Sequence, residues 1–336
     1  MKAWQLHDSK GIDSFVLGDV DEPEPGPGEV RIRISHSALN HLDLWVSQGL
    51  PAPKHFPHTT GADGAGYVDA VGEGVSGFDI DDEIIIDPSI SCGHCVHCRN
   101  DDIVYCDSFQ ILGEHRPGTF TEKIVIPTIN AIRKPQAMAW EVAGSFGLTT
   151  ATALRMLERA DLRPEQTLLV VGVGGGVSAS AMHLGLAFRA NVYVTSRSQD
   201  KIDWAIEHGA AGGFKSESDF GTEMTSLGGA DVVVDNVGPA TMRQSMRAAK
   251  KGGRVMVCGS TSGAKLELTV PYLFFRQLEL IGSSMATHGQ FARAVHWVAT
   301  DGATSPVSKV FEFTELPAAL EYLESGEQIG KVVLRH

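Results

Sequence analysis

No apolar run in these 336 residues reaches the roughly 18 that a membrane span requires. The opening residues, MKAWQLHDSKG, lack the basic-then-apolar pattern of a secretory leader. Runs of Lys and Arg are missing as well. Acidic residues outnumber basic ones 41 to 28, for a formal charge of -13, which disfavours nucleic acid as a partner. Cysteine is nearly confined to one stretch: Cys92, Cys95, Cys98 and Cys106 fall in SCGHCVHCRNDDIVYC, and Cys258 stands apart. A secreted disulfide scaffold would distribute its pairs, so a reduced, cytoplasmic chain is expected. The length exceeds what one hydrophobic core usually serves, so two domains are expected.

The texture changes near residue 140. Before it the pattern is mainly β. EVRIRISHSAL alternates polar and apolar residues as a half-buried strand does, DEPEPGPGE before it is a turn segment, and DEIIID and GTFTEKIVIP read as further strands. After it, TTATALRMLERA has helical spacing, and strand-like runs (LLVVG, NVYVTS, ADVVVDNVG, GRVMVCGS, LELIGSS) alternate with helical ones. That is the βαβ rhythm of a parallel, doubly wound α/β sheet. The closing IGKVVLRH is a strand without a following helix, expected to return to the first domain. The expected boundaries are 1–146 for the first domain, with a cysteine lobe at 91–107, then 147–288 for the α/β domain and 289–336 for the return segment.

LLVVGVGGGVSASAMHLGLA runs strand, glycine turn, helix, with Gly172, Gly174, Gly175, Gly176 and Val177 at the junction. Such a turn lets backbone N–H groups approach a pyrophosphate at a helix N-terminus. The strict G-x-G-x-x-G pattern is broken at Val177, and a purely structural turn is the alternative. A second absence follows. The next strand lacks the terminal carboxylate that would hold the ribose 2′-hydroxyl of NAD, and Ser196 and Arg197 stand there instead. A hydroxyl and a guanidinium suit a 2′-phosphate, so NADP(H) is the expected cofactor.

The cysteines follow C-x2-C-x2-C-x7-C. Four thiolates complete a tetrahedral zinc shell and leave no position for a substrate, so one structural Zn2+ per chain is expected. His94 and His97 could replace a cysteine as ligand, and reduced cysteines without metal are the alternative. Cys258, in a buried strand run, reads as an inert core thiol, and His183 and His208 as packing or surface groups. Phe274 and Phe275 read as core or as a subunit contact.

The cysteine lobe, the glycine turn, LIGSSM and GKVVLRH together resemble the medium-chain dehydrogenase/reductase superfamily, the zinc alcohol dehydrogenase and quinone reductase group, over nearly the whole chain. The resemblance implies a GroES-like first domain and a Rossmann second domain. It also exposes a third absence. Where the family's catalytic zinc takes Cys, His and Cys, this chain has Asn40, Ala62 and Phe146; Asp63 replaces the Glu that follows the His, and Leu42 replaces the proton-relaying hydroxyl. Ala and Phe cannot ligate zinc, and a neutral amide is a poor ligand. A substitute site from His41, Asp43, His58 and Asp63 is the alternative.

By resemblance, His41 contacts the cofactor pyrophosphate and Thr150 lies beside the nicotinamide. Asn236, Val237, Gly259, Ser260, Ser283, Ser284 and Met285 follow strands along which the cofactor passes. Asn40 is the expected substrate-facing donor, with Asp63 and Tyr67 as further catalytic candidates. The expected activity is NADPH-dependent hydride transfer to a quinone or α,β-unsaturated carbonyl without catalytic zinc. The alternatives are a zinc-dependent alcohol or aldehyde dehydrogenase with substituted ligands, and a non-enzymatic NADPH-binding redox sensor. The expected partners are a small-molecule substrate and further copies of the chain in a homodimer or homotetramer, with no nucleic acid and no membrane.

Overall fold

A computed structural model describes all 336 residues. They form two compact units. The first comprises 1–151, 286–299 and 306–336, and the second 152–285 and 300–305. The division falls a few residues beyond the expected 1–146, because the helix Gly147–Arg159 runs through it. No helix is long and apolar enough to cross a membrane.

The first unit is built on a seven-stranded sheet organised around the long strand Glu29–Ala38. Along one edge this strand pairs antiparallel with Asp63–Val71. Along the other it pairs first with Lys123–Pro127 and then, over its last residues, with Lys331–Arg335. Glu83–Ile86 and Ala131–Arg133 extend the sheet past Asp63–Val71, and Val307–Glu312 adds in parallel to Lys331–Arg335. Alternation decides the packing: Val30, Ile32 and Ile34 turn to one face, where they meet Val68, Ile84, Ile86, Ile124 and Ile126. A Cβ on Gly66 would lie 2.0 Å from the Arg33 carbonyl oxygen, so only glycine allows these strands to approach so closely. A second core gathers Leu6, Leu39, Leu44, Phe120, Leu316, Leu320, Val332 and Leu334. There the His336 ring stacks on Phe313 at 4.2 Å, and its Nε2 meets Ser37 Oγ at 2.8 Å.

The second unit is a six-stranded, wholly parallel sheet. In spatial order its strands are Gly212–Lys215, Asn191–Ser196, Thr167–Val171, Ala230–Asp235, Ala249–Val257 and Glu279–Gly282. By chain order this is 3-2-1-4-5-6, the doubly wound arrangement, with helices Gly176–Ala187, Gln199–Glu207 and Pro239–Ala248 among the connections. The alternating pattern did not reveal the strand Gly212–Lys215 or the helix Phe220–Ser226. Two of the four strand residues are glycines, and the helix is a single short element. Phe274 and Phe275 are 51% and 72% exposed, so of the two expected settings, core or subunit contact, the core does not hold. The two rings contact each other, and the strand Glu279–Gly282 that follows them in the chain is an edge of the sheet.

Burial pushes the His336 imidazole down to about 3, with the neighbouring His36 acting in the same direction. Its folded value lies below the unfolded value of about 6.5, so the unfolded chain binds more protons between those limits. This contribution is complete above about pH 6.5 and shrinks as pH falls toward 3. His336→Phe is expected to lower the slope of stability against pH between 6.5 and 4.5 relative to wild type, as measured by urea unfolding.

Candidate functional site

The sulfurs of Cys92, Cys95, Cys98 and Cys106 all lie within 4.8 Å of one another, with Cys95 and Cys98 at 3.5 Å and Cys92 and Cys98 at 3.8 Å. A tetrahedral zinc with Zn–S near 2.3 Å has sulfurs about 3.8 Å apart, so the donor set fits that ion. Backbone N–H groups of His94 and Cys95 lower the Cys92 thiol to about 6, toward the thiolate a metal needs. His94 Nδ1 meets the Cys92 carbonyl oxygen at 2.8 Å, a local contact that braces the loop. The lobe is tied to the rest of its unit through Asp101, whose carboxylate accepts from Thr287 Oγ1 at 2.9 Å and Gly289 N at 3.0 Å. These donors sit at the start of the helix His288–Asp301, and His288 in turn meets the buried Asp87 at 2.7 Å. Cys258 lies far along the chain, and burial raises its thiol to about 11, so it stays protonated.

In the second unit, Gly172–Val177, Ser196–Arg197, Asn236–Val237, Gly259–Ser260 and Ser283–Met285 all follow the carboxyl ends of parallel strands. The strand order reverses between Thr167–Val171 and Ala230–Asp235, the switch point where such sheets receive dinucleotides. Gly174 has φ +124°, and a Cβ on Gly175 would meet nothing within 4 Å, which leaves open space at the first turn of the helix Gly176–Ala187. Thr195 pins the turn by accepting from Gly172 N at Oγ1 and from Val173 N at its carbonyl. Ser178 donates to Asn236 Oδ1 at 3.1 Å and joins two of these strand ends. The Ser283 hydroxyl is buried without a partner at a third. This cradle fits a pyrophosphate.

Beside Ser196 and Arg197 the fold gathers two lysines that sequence reading overlooked. Lys201 is half-buried, and its ammonium is lowered by burial and then by the nearby Arg197 charge. Lys215 donates to the Arg197 carbonyl oxygen at 3.2 Å. Lys215 comes from the short third strand, so its proximity depends on strand pairing, which single-sequence periodicity does not give.

In the first unit, three segments expected around the lost metal converge on a lysine. Asn40 precedes the helix His41–Ser47, Asp63 opens its strand, and Leu148 lies in the first turn of Gly147–Arg159. Asp63 is fully buried; Oδ1 accepts from Leu148 N at 2.6 Å, and Oδ2 accepts from Asn40 Nδ2 at 3.0 Å and from Lys331 Nζ at 2.9 Å. Lys331 Nζ also donates to Asn40 Oδ1 at 2.6 Å and to the Leu39 carbonyl oxygen at 2.7 Å. The only signal for Lys331 in the sequence was a lysine leading an apolar strand run, a residue type rarely buried without a partner.

The remaining candidates divide. Ala62 and Phe146 are buried, and the Phe146 ring stacks on Phe291 at 6.1 Å. Asp43 accepts from Asn40 N at 2.7 Å and from Gly61 N at 2.9 Å. Burial raises its carboxyl to about 6, against those two bonds. His58 contacts the Gly113 carbonyl oxygen at 3.0 Å. Asp43, His58 and Asp63 are thus held by protein partners and do not gather as a metal shell. His41 begins its helix, and Thr150 is buried in Gly147–Arg159. Tyr67 is not brought to Asn40 and Asp63: four residues along an extended strand is about 13 Å. It packs instead on Trp140 at 4.7 Å, beneath the Arg33 guanidinium.

A dinucleotide cradle on a doubly wound sheet, in the same chain as a mainly-β unit with a four-cysteine lobe, defines a pyridine-nucleotide oxidoreductase architecture. Comparison with known proteins narrows it. Residues 26–136 match the alcohol dehydrogenase GroES-like domain, and residues 172–300 match the zinc-binding dehydrogenase domain. A crystal structure of an NAD-dependent alcohol dehydrogenase is similar at 37% identity and a TM-score of 0.96, with both chains covered in full. An acryloyl-coenzyme A reductase of Metallosphaera sedula is 28% identical over 95% of this chain and 96% of that protein. A crotonyl-CoA carboxylase/reductase of Cereibacter sphaeroides is 28% identical over 89% of this chain and 78% of that one. The chain belongs to the medium-chain dehydrogenase/reductase superfamily.

Metal analysis of the purified protein is expected to give one zinc per chain. Cys98→Ser is expected to lose it and to lower Tm by about 5 °C or more, read by calorimetry.

Proposed function

We propose that the protein is an NADPH-dependent reductase of activated C=C bonds or quinones that works without a catalytic metal. The observation that carries this reading is the network at the superfamily's metal position. Asn40, Asp63 and Lys331 satisfy one another there, and Ala62 and Phe146 offer no ligand atom. A carbonyl conjugated to a double bond delocalises the negative charge created at reduction, so hydrogen-bond donors suffice where an isolated carbonyl needs a Lewis acid. Acryloyl- and crotonyl-CoA reductases among the relatives are named for α,β-unsaturated thioesters, which supports this acceptor class.

The cofactor, when bound, supplies the hydride. The chain's own residues position and stabilise. The open first turn of Gly176–Ala187 offers backbone N–H groups to the pyrophosphate. Ser196, Arg197, Lys201 and Lys215 supply a hydroxyl and three cations for a 2′-phosphate, which favours NADPH over NADH. Asn40 donates to the acceptor oxygen as it gains charge, and the α-carbon takes its proton from solvent.

The test is an NADPH-oxidation screen against quinones, enones and enoyl thioesters, with NAD+ plus alcohols as the opposing arm. Turnover in the first arm supports the proposal, and alcohol oxidation at comparable kcat/KM would sink it. Arg197→Glu is expected to raise KM for NADPH about 10- to 100-fold and to leave KM for NADH within a factor of about three.

We also propose a second copy of the chain as partner at the exposed edge Glu279–Gly282, next to Phe274 and Phe275. Sedimentation should show a dimer or larger species for wild type, and Phe275→Asp should shift it toward monomer. An unchanged profile would refute that contact.

A further inference from the structure

We infer that Lys331 is the positioning residue of this site, its ammonium fixing Asn40 as a one-proton donor to the acceptor oxygen; the donor role rests on the reductase reading above. An ammonium has three protons, and Lys331, 2% exposed, meets three acceptors: Leu39 O, Asn40 Oδ1 and Asp63 Oδ2. None is left over, so Lys331 is not itself the donor to a substrate.

The same geometry fixes the Asn40 carboxamide. Its oxygen faces the ammonium at 2.6 Å and its nitrogen faces the Asp63 carboxylate at 3.0 Å. Rotation by half a turn would set the amide N–H groups against a cation and the amide oxygen against an anion, so the observed orientation is the only one that satisfies both neighbours. Nδ2 carries two protons, and Asp63 takes one. The other has no protein acceptor and is the proton we assign to a ligand. Acceptance of the ammonium's bond at Oδ1 also polarises the amide and strengthens this N–H as a donor.

Asp63 is itself held rigidly. Leu148 N holds its second oxygen at 2.6 Å, and Thr119 Oγ1 donates to its carbonyl at 2.7 Å. Gly147 keeps the approach clear, because a Cβ there would sit 3.0 Å from Asp63 Oδ1. A buried ion pair stabilises little compared with an apolar core, so its use here is orientation of a donor ahead of charge development.

The test is a double-mutant cycle on kcat with an enone acceptor at saturating NADPH, using Lys331→Met and Asn40→Ala. Each single variant is expected to lose about 10²- to 10³-fold in kcat, with NADPH affinity within about twofold of wild type by fluorescence titration. The combined variant should be no slower than Asn40→Ala alone, because Lys331 acts through Asn40. Multiplying losses, or a Lys331→Met kcat within about twofold of wild type, would overturn the assignment.

Where Lys331→Met does not fold, the charge-neutral pair Lys331→Met with Asp63→Asn takes its place, with the same expected loss. A reading independent of turnover comes from protein labelled with 15N at asparagine. The Asn40 carboxamide pair, assigned by its loss in Asn40→Ala, should be sharp in wild type and broadened or shifted in the Lys331 variant. An unchanged pair overturns the positioning role. A shifted pair in a protein that reduces no quinone or enone upholds the positioning and removes the reductase reading.

Discussion

A buried carboxylate must be compensated, and in this protein Asp63 is compensated by Lys331. The first unit is arranged around that requirement. Removing either partner would strand a charge away from water at a cost of about 3–5 kcal/mol. The pair also holds together segments with no local reason to meet: the residue before the helix His41–Ser47, the first residue of a central strand, the first turn of Gly147–Arg159 and the first residue of Lys331–Arg335. Strand pairing brings Lys331–Arg335 alongside Glu29–Ala38, and the ammonium then reaches past the end of that strand to Leu39 and Asn40.

The four-cysteine lobe and the Asn40 network divide two tasks within one unit. The lobe has a complete set of sulfur donors and is anchored by Asp101 to the start of His288–Asp301. The same helix carries Phe291, which stacks on Phe146. Packing therefore links a structural element to the walls of the site, while the polar groups of the site, the second N–H of Asn40 excepted, are satisfied by one another and by Lys331.

The sequence was informative wherever function follows from a local pattern. C-x2-C-x2-C-x7-C places four sulfurs in reach because the spacing is short, and the glycines after LLVVG mark the strand-to-helix turn because its backbone conformation calls for them. The departures at Asn40, Ala62 and Phe146 followed from setting the sequence against the family it resembles. Tyr67, a further catalytic candidate by sequence, packs on Trp140 beneath Arg33, a setting fixed by strand register that the sequence alone does not give. Lys331 and Lys215 escaped notice because each owes its role to register between strands, and for Lys331 the separation from Asp63 is 268 residues. Phe275 shows the converse: of the two readings for an apolar pair in a short helix, core or subunit contact, its exposure removes the first.

The place of Lys331 in the last strand of its sheet carries a consequence for biogenesis. Chains are synthesised from the N-terminus at about 5–20 residues per second, so Asp63 leaves the ribosome on the order of tens of seconds before the cation that neutralises it. During that interval the nascent first unit holds an acidic group it cannot bury and one edge of Glu29–Ala38 it cannot fully pair. The dinucleotide-binding unit, whose main segment lies between these two residues, is made in the meantime. The site's completion is thus a late act of synthesis, and a chain cut short before Lys331 would present its apolar sheet without the charge that closes it.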